Sequence, residues 1–299
     1  TDYVEDLFVA WNHSYLLFFT SLGRVYWLKT FRIPESSRHS RGVPIVNLLP
    51  GLQDDEHVVA FRSVKEFDDD HYLFFATKKG KVKKTVLSAY SRPRVTGIYA
   101  TKIEEGDQLV AVRLSDGDQD VLLATRNGQT IRFLESDVRP MGRVAAGVRG
   151  IKLREGDEVV SMALVKEGTD VLTVTRNGYG KRTRVDEYRL IKRGGYGVRG
   201  IITSERNGPV VALRMVDEGD ELMITSHEGM IVRIPVYESM ANQIRCMRRS
   251  TQGVRLMRLS EDDSVICIGV LREADEAAIE EEIDDEEGEA PPVLPEPEG

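Results

Sequence analysis

The sequence predicts an all-β protein: a propeller-like array of about five to six four-stranded blades, followed by a disordered acidic C-terminal tail. Three observations carry this expectation. A unit of about fifty residues recurs along the chain, and internal repetition of that period marks stacked or radial architectures. Each copy shares one strand–turn–strand grammar. No amphipathic helical pattern interrupts the repeats.

The first strand is the clearest element. A short apolar run closing in Thr or Ser, then two residues, then Gly, occurs five times. The copies are residues 16–20 before Gly23, 73–77 before Gly80, 121–125 before Gly128, 171–175 before Gly178 and 222–226 before Gly229. The glycines lie 57, 48, 50 and 51 residues apart. The runs are too short for helices and rich in β-branched and aromatic residues, so they read as buried strands. Asn127-Gly128 and Asn177-Gly178 suit the positive φ angles of a tight hairpin turn. A second strand follows in which charged and apolar residues alternate, as in Ile131-Arg132-Phe133 and Ile231-Val232-Arg233-Ile234. That is the pattern of a sheet wet on one face.

A second glycine lies about nineteen residues further on, at Gly42, Gly97, Gly147, Gly197 and, after a longer gap, Gly253. A third strand is expected just beyond it, for example at Gly150-Ile151-Lys152-Leu153. An acidic turn such as Glu105-Gly106-Asp107 or Glu155-Gly156-Asp157 leads to the fourth, residues 159–164 in the third copy. A four-stranded blade cannot bury both faces alone, so neighbours must stack. One radial domain is expected over residues 1–271, with five complete repeats and a sixth completed by sequence upstream. Residues 272–299 form the expected tail.

Charge divides the chain in the same way. The formal net charge is −8, but residues 273–299 hold 13 Asp and Glu and no Lys or Arg. The remainder has 36 acidic residues against 41 basic ones, a moderately basic body. Such asymmetry points to a polyanionic partner. The tail is too charged to fold alone. It is either a solubilising segment or one that folds back on the basic body and competes with the partner.

Within the body, positive charge recurs in phase with the repeat. One set lies on the second strand and its flanks: Arg24; Lys78, Lys79, Lys81, Lys83 and Lys84; Arg126 and Arg132; Arg176, Lys181, Arg182 and Arg184; and Arg233. The other surrounds the second glycine: Arg38 and Arg41; Arg92 and Arg94; Arg143 and Arg149; Lys192, Arg193 and Arg199; and Arg245, Arg248, Arg249 and Arg255. One repeated position occupies one place on every blade, so these residues are expected to form a belt. A belt of this kind fits a nucleic-acid backbone, met by phosphate contacts with little sequence information. Gly194, Gly195 and Gly197 sit in a basic loop whose backbone amides are expected to approach a phosphate closely.

Several stretches resemble the C-terminal domain of the gyrase A subunit. They are Gly23-Arg24-Val25-Tyr26-Trp27-Leu28-Lys29, Arg41-Gly42-Val43-Pro44-Ile45-Val46-Asn47-Leu48-Leu49-Pro50, Gly80-Lys81-Val82-Lys83-Lys84-Thr85, and residues 175–183. The resemblance covers nearly all of residues 1–272. It implies a β-pinwheel, a propeller-like ring or spiral with strands exchanged between blades, and duplex DNA wrapped on its basic outer rim. It implies further that the domain sets the sense of negative supercoiling without catalysing anything. The implied partners are the remainder of the gyrase A subunit, with the gyrase B subunit, in an A2B2 enzyme of the bacterial cytoplasm, the isolated domain being monomeric. The family's seven-residue box, Gln-Arg-Arg-Gly-Gly-Lys-Gly, has no intact copy here. Residues 191–197 depart from it at Ile191 and Tyr196, and the true box is expected upstream of Thr1.

Two other readings fit parts of the pattern. The C-terminal domain of topoisomerase IV has a similar architecture and bends DNA with less wrapping. A protein-binding propeller is the rival of a different class, though Trp-Asp repeats are absent. Catalysis and cofactors are not expected. Cys246 and Cys267 form no redox or metal motif, and no apolar run approaches the about 18 residues of a membrane span. His13, His39, His57, His71 and His227 mostly fall near turns and compose no triad or metal pair. Carboxylates such as Asp107, Asp157 and Asp220 recur with the turns, where side chain to backbone bonding is their expected work.

Overall fold

The computed structural model describes residues 10–35, 42–166, 168–237 and 243–272. The chain opens with β1 (Tyr15–Thr20), β2 (Arg24–Lys29) and β3 (Val58–Val64), then β4 (Tyr72–Thr77), β5 (Lys81–Val86), β6 (Ile98–Tyr99) and β7 (Leu109–Ser115). It continues with β8 (Asp120–Thr125), β9 (Gln129–Leu134), β10 (Val148–Arg149) and β11 (Val159–Leu164). The fourth repeat supplies β12 (Asp170–Thr175), β13 (Tyr179–Arg184), β14 (Val198–Arg199) and β15 (Val210–Val216). Last come β16 (Glu221–Ser226), β17 (Ile231–Pro235), β18 (Val254–Arg255) and β19 (Val265–Leu271). Among the described residues helix is confined to one turn at Ile45–Leu48 and short 3-10 segments.

Five antiparallel sheets result among the described residues. Four have four strands, in the orders β3-β1-β2-β6, β7-β4-β5-β10, β11-β8-β9-β14 and β15-β12-β13-β18; the fifth is β17-β16-β19. The expected propeller-like array is therefore present, with three strands in the last blade among the described residues. In every complete blade the fourth strand comes from the following repeat, which is the strand exchange that the resemblance implied. The expected strand at residues 150–153 is displaced to Val148–Arg149. Gly150 N–H donates to the carbonyl of the turn residue Gly80 at 2.8 Å, and there the chain leaves the sheet. Ile151 then turns inward and is buried.

The Thr or Ser that closes each apolar run has a local cause. The ladder slips by one residue at the end of every first strand, a β-bulge that re-aims the side chain. The freed hydroxyl holds the hairpin: Thr20, Thr77, Thr125 and Ser226 accept the N–H four residues ahead at 3.1–3.2 Å. The next element, Gly128, has φ +83°, and a Cβ there would lie 2.4 Å from Ile201 O. Only glycine allows the turn to abut the following repeat.

Packing joins the blades. Leu17 and Phe19 of β1 share one buried cluster with Leu73 and Phe75 of β4. Phe74 and Val82 of the second blade share another with Leu123 and Phe133 of the third. Each such side chain contributes about 1.5–3 kcal/mol by burial. Strands β3, β7, β11, β15 and β19 pack against one another in succession and form the inner layer. The exchanged strands lie at the opposite edge of each sheet, on the outer rim.

Candidate nucleic-acid interface

The rim is built from the exchanged strands and the loops that lead into them. Each exchanged strand has a half-buried first residue and an exposed second one. Alternation along a strand thus turns Tyr99, Arg149, Arg199 and Arg255 outward at one repeated position. Arg92, Arg94, Lys192, Arg245 and Arg248 are exposed in the preceding loops, with Arg143, Arg193 and Arg249 half-buried. A rim cavity of about 950 Å³ where the loops of the first three repeats meet is lined in part by Arg24, Arg92, Arg94 and Arg143.

Successive rim loops are tied to one another. Lys152 N–H donates to Gly195 O at 2.8 Å, and Ile202 N–H to Thr251 O at 2.9 Å. Arg193 Nη1 donates to Arg149 O, and Arg249 Nη1 to Arg199 O, both at 3.0 Å. Each loop arginine thereby braces the exchanged strand of the loop before it. The cations form a connected track rather than separate flexible arms.

Gly194 and Gly197 have φ of +83° and +70°. A Cβ on Gly197 would meet Thr130 O at 2.4 Å, so this glycine serves close approach to the preceding blade. Gly194 N–H donates to Gly150 O at 2.6 Å, and its amide is committed inside the protein instead of facing a phosphate. A Cβ on Gly195 would meet open space. Tyr196 gathers Lys152 and Arg154, at 4.9 and 5.7 Å from its ring centroid. These two cations were not among the expected site residues; their signal is an aromatic standing where a cation is missing.

The second-strand set divides. Lys78, Lys79, Arg126, Arg176, Arg184 and Arg233 are exposed or half-exposed, and Arg24, Lys81 and Arg132 partly buried. Lys83, Lys84, Lys181 and Arg182 are buried, with at most 5% of their surface accessible. As placed, these four present no charge to a ligand at the surface, and the expected belt loses them. Their work is internal. Lys83 Nζ donates to Ala100 O, Gly142 O and Arg143 O at 2.7, 3.3 and 2.5 Å. Lys181 Nζ donates to Arg248 O and Arg249 O, both at 2.7 Å. Each pins the basic loop of the next repeat from beneath. Burial and the nearby Arg143 lower the Lys83 ammonium to about 7; burial and Arg249 lower Lys181 to about 8.

The neighbouring strand position uses acids. Lys84 pairs with Glu135 at 3.6 Å, Arg132 with Asp120 at 2.6 Å, Arg182 with Asp170 at 2.8 Å, and Arg233 with Glu221. Arg24 pairs with Glu56 at 3.1 Å and also donates to Gly51 O and Thr96 O. The turn carboxylates bond backbone as expected. Asp107 accepts Lys79 N–H at 2.8 Å, Asp157 accepts Asn127 N–H at 2.9 Å, and Asp220 accepts Asp217 N–H at 2.8 Å. Arg38, Arg41 and the acidic tail from residue 273 lie outside the described residues.

Among the described residues no His, Cys, Asp or Glu cluster has metal-site geometry. No helix there is long and apolar enough to cross a membrane.

Comparison with known proteins meets this geometry blade by blade. A family model described as DNA gyrase C-terminal domain, beta-propeller, matches residues 14–65, 71–116, 119–166, 169–217 and 220–268. The DNA gyrase A subunit of Halalkalibacterium halodurans is 51% identical over 96% of this chain and 34% of its own length. That of Buchnera aphidicola is 52% identical over 89% of the chain and 31% of its own length. The chain thus spans about a third of these relatives. A solved C-terminal domain of DNA topoisomerase IV superposes with a TM-score of 0.80 at 27% identity, covering 91% of this chain and 84% of that one. A solved DNA gyrase A C-terminal domain superposes with a TM-score of 0.73 at 23% identity, covering 90% and 89%.

Proposed function

We propose that this chain, which belongs to the DNA gyrase C-terminal domain family, binds duplex DNA without sequence preference on its outer rim and wraps it. In this reading the domain gives a gyrase its preference for negative supercoils. Its working partners are the remainder of the gyrase A subunit, with the gyrase B subunit, in the bacterial cytoplasm. Cleavage and ATP hydrolysis reside in those partners.

The observation that supports it most is the repeated outward placement of Arg149, Arg199 and Arg255 on exchanged strands braced by neighbouring loops. A duplex following such a track meets cations at a constant radius. Smooth bending costs roughly 1–6 kcal/mol per site of 20–30 bp, and several charge-assisted phosphate contacts per blade oppose that cost. A topoisomerase IV-like role, bending with little wrapping, is the second reading. It is favoured by the 0.80 superposition and by the altered loop at residues 191–197.

Ligation of a nicked circle in the presence of the chain separates the two. Wrapping leaves a positive linking-number change that grows with protein. Tight binding with no such change supports bending, and absence of binding at low salt refutes both.

A further inference from the structure

At the hairpin end of each blade the chain makes a turn before its inner strand, and in four repeats that turn is acidic. Residues 53–56, 104–107, 154–157 and 260–263 carry net charges of −3, −3, −1 and −3. The fourth repeat departs: Ser204-Glu205-Arg206-Asn207 is neutral. Asn207 takes over the structural work, accepting Ser204 N–H at 2.8 Å and donating to Ile202 O and Gln252 O at 2.8 and 3.1 Å. In place of the Gly or Asp of the other turns, Arg206 projects beside β13.

There it meets two more cations. Arg206, Arg255 and Arg258 line a cavity of about 400 Å³ whose floor includes Tyr179 and which no carboxylate lines. Glu261 and Asp263 enter only the adjoining space, and Asp263 accepts the N–H groups of Glu228 and Ser264 at 3.1 and 2.8 Å. Arg255 Nη2 and Arg206 Nε donate to the Tyr179 hydroxyl at 2.9 and 3.5 Å. Among the described residues none of the three guanidinium groups is paired with a carboxylate. The strand position of Tyr179 holds a cation in the first two blades, and there it is paired with an acid, Arg24 with Glu56 and Lys81 with Glu104. The two hydrogen bonds, from Arg206 first and Arg255 next, lower the pKa of the Tyr179 phenol. Guanidinium donors converge on an oxygen at that point.

We propose that this niche binds a phosphate oxyanion, and that its occupant is a backbone phosphodiester of duplex DNA held by Arg206, Arg255 and Arg258. Guanidinium forks match phosphate oxygens geometrically, and a bound anion removes the mutual repulsion of three converging cations. The proposal rests on the DNA-binding reading and adds an anchor at the junction of the fourth and fifth blades.

The test uses the full chain with Arg206→Gln and Arg258→Gln together, both residues being exposed so that folding is retained, as circular dichroism will check. Arg92→Gln with Arg94→Gln serves as a rim control. Affinity for a duplex of about 25 bp is measured across salt, where each lost phosphate contact lowers the slope of log K against log[salt] by about 0.9. The niche variant is expected to lose one to two such contacts. DNA is also expected to move the Tyr179 ultraviolet titration upward, read as the difference from a Tyr179→Phe chain. A full slope in the niche variant, with a reduced one in the control, overturns the niche and leaves the DNA reading intact. A parent chain that binds no duplex overturns both. If inorganic phosphate at constant ionic strength moves the Tyr179 titration while DNA does not, the occupant is a free anion, and the DNA assignment falls.

Discussion

The second strands and the exchanged strands both carry cations in phase with the repeat, yet they put them to opposite use. On β13, Lys181 and Arg182 face inward and are held by Arg248 O, Arg249 O, Asp170 and Ile244 O. On β14, Arg199 is exposed, and Arg249 Nη1 braces it by donating to its carbonyl oxygen. One set holds the rim loops in place, and the other stands on the rim. The difference teaches that a phased cation is open to a ligand only where the next repeat's loop does not cover it. Substitutions can break that contrast from either side.

The largest effect on stability is expected at Arg182. Arg182→Ala leaves the Asp170 carboxylate without its partner, and loss of one member of a buried pair costs about 3 kcal/mol. Chemical denaturation will measure it. Joining Arg182→Met to Asp170→Leu should recover most of the loss; a double variant as weak as the single one would show that the pair's geometry, not its charge, matters.

Lys83 should give a smaller effect that depends on pH. Its ammonium is lowered by burial from 10.5 to about 7, so above pH 7 the unfolded chain binds a proton that the folded chain releases. Stability therefore rises with pH from about 7 toward 10.5, and this penalty stands in full below 7. In Lys83→Met that rise should shrink by about 1.5 kcal/mol between pH 7 and about 8.5, at about 1.36 kcal/mol per unit. The register equivalents Ile131 in the third blade and Val232 in the fifth show that the position accepts an apolar side chain.

The exchanged strands should change stability least. Arg149→Gln with Arg199→Gln is expected to stay within about 0.5 kcal/mol of the parent. The same variant should lose nearly two units of salt slope on duplex DNA, at about 0.9 per contact. Equal losses from this variant and from Lys181→Met would erase the contrast between the two sets.

Much of the fold is legible in the residues alone. The recurrence of Gly23, Gly80, Gly128, Gly178 and Gly229 marks the blades because a hairpin turn is local chemistry. The strand after the second glycine is placed two residues late, since its end is decided by a hydrogen bond from Gly150 to Gly80, seventy residues back. The rim arginines Arg149, Arg199 and Arg255 are legible as a phased set. Arg206 is not, because it does not recur, and Arg258 recurs only as Lys102 and Lys152, outside the two sets; the readable trace is the one turn out of five that ends in Asn207 and not in an acid.

What the sequence by itself determined is periodicity: strand, turn and strand, five times, with basic residues in step and an acidic end. Those features rest on contacts within a few residues and on the alternation of side chains along a strand. The tertiary structure alone decided which cations are buried, which pair with acids and which reach the rim. The same Lys-Lys or Lys-Arg pair is internal on β5 and β13 because a loop from the following repeat, about sixty residues away, lies over it. A side chain's alternation sets its direction, but only the neighbouring blade sets what it meets there.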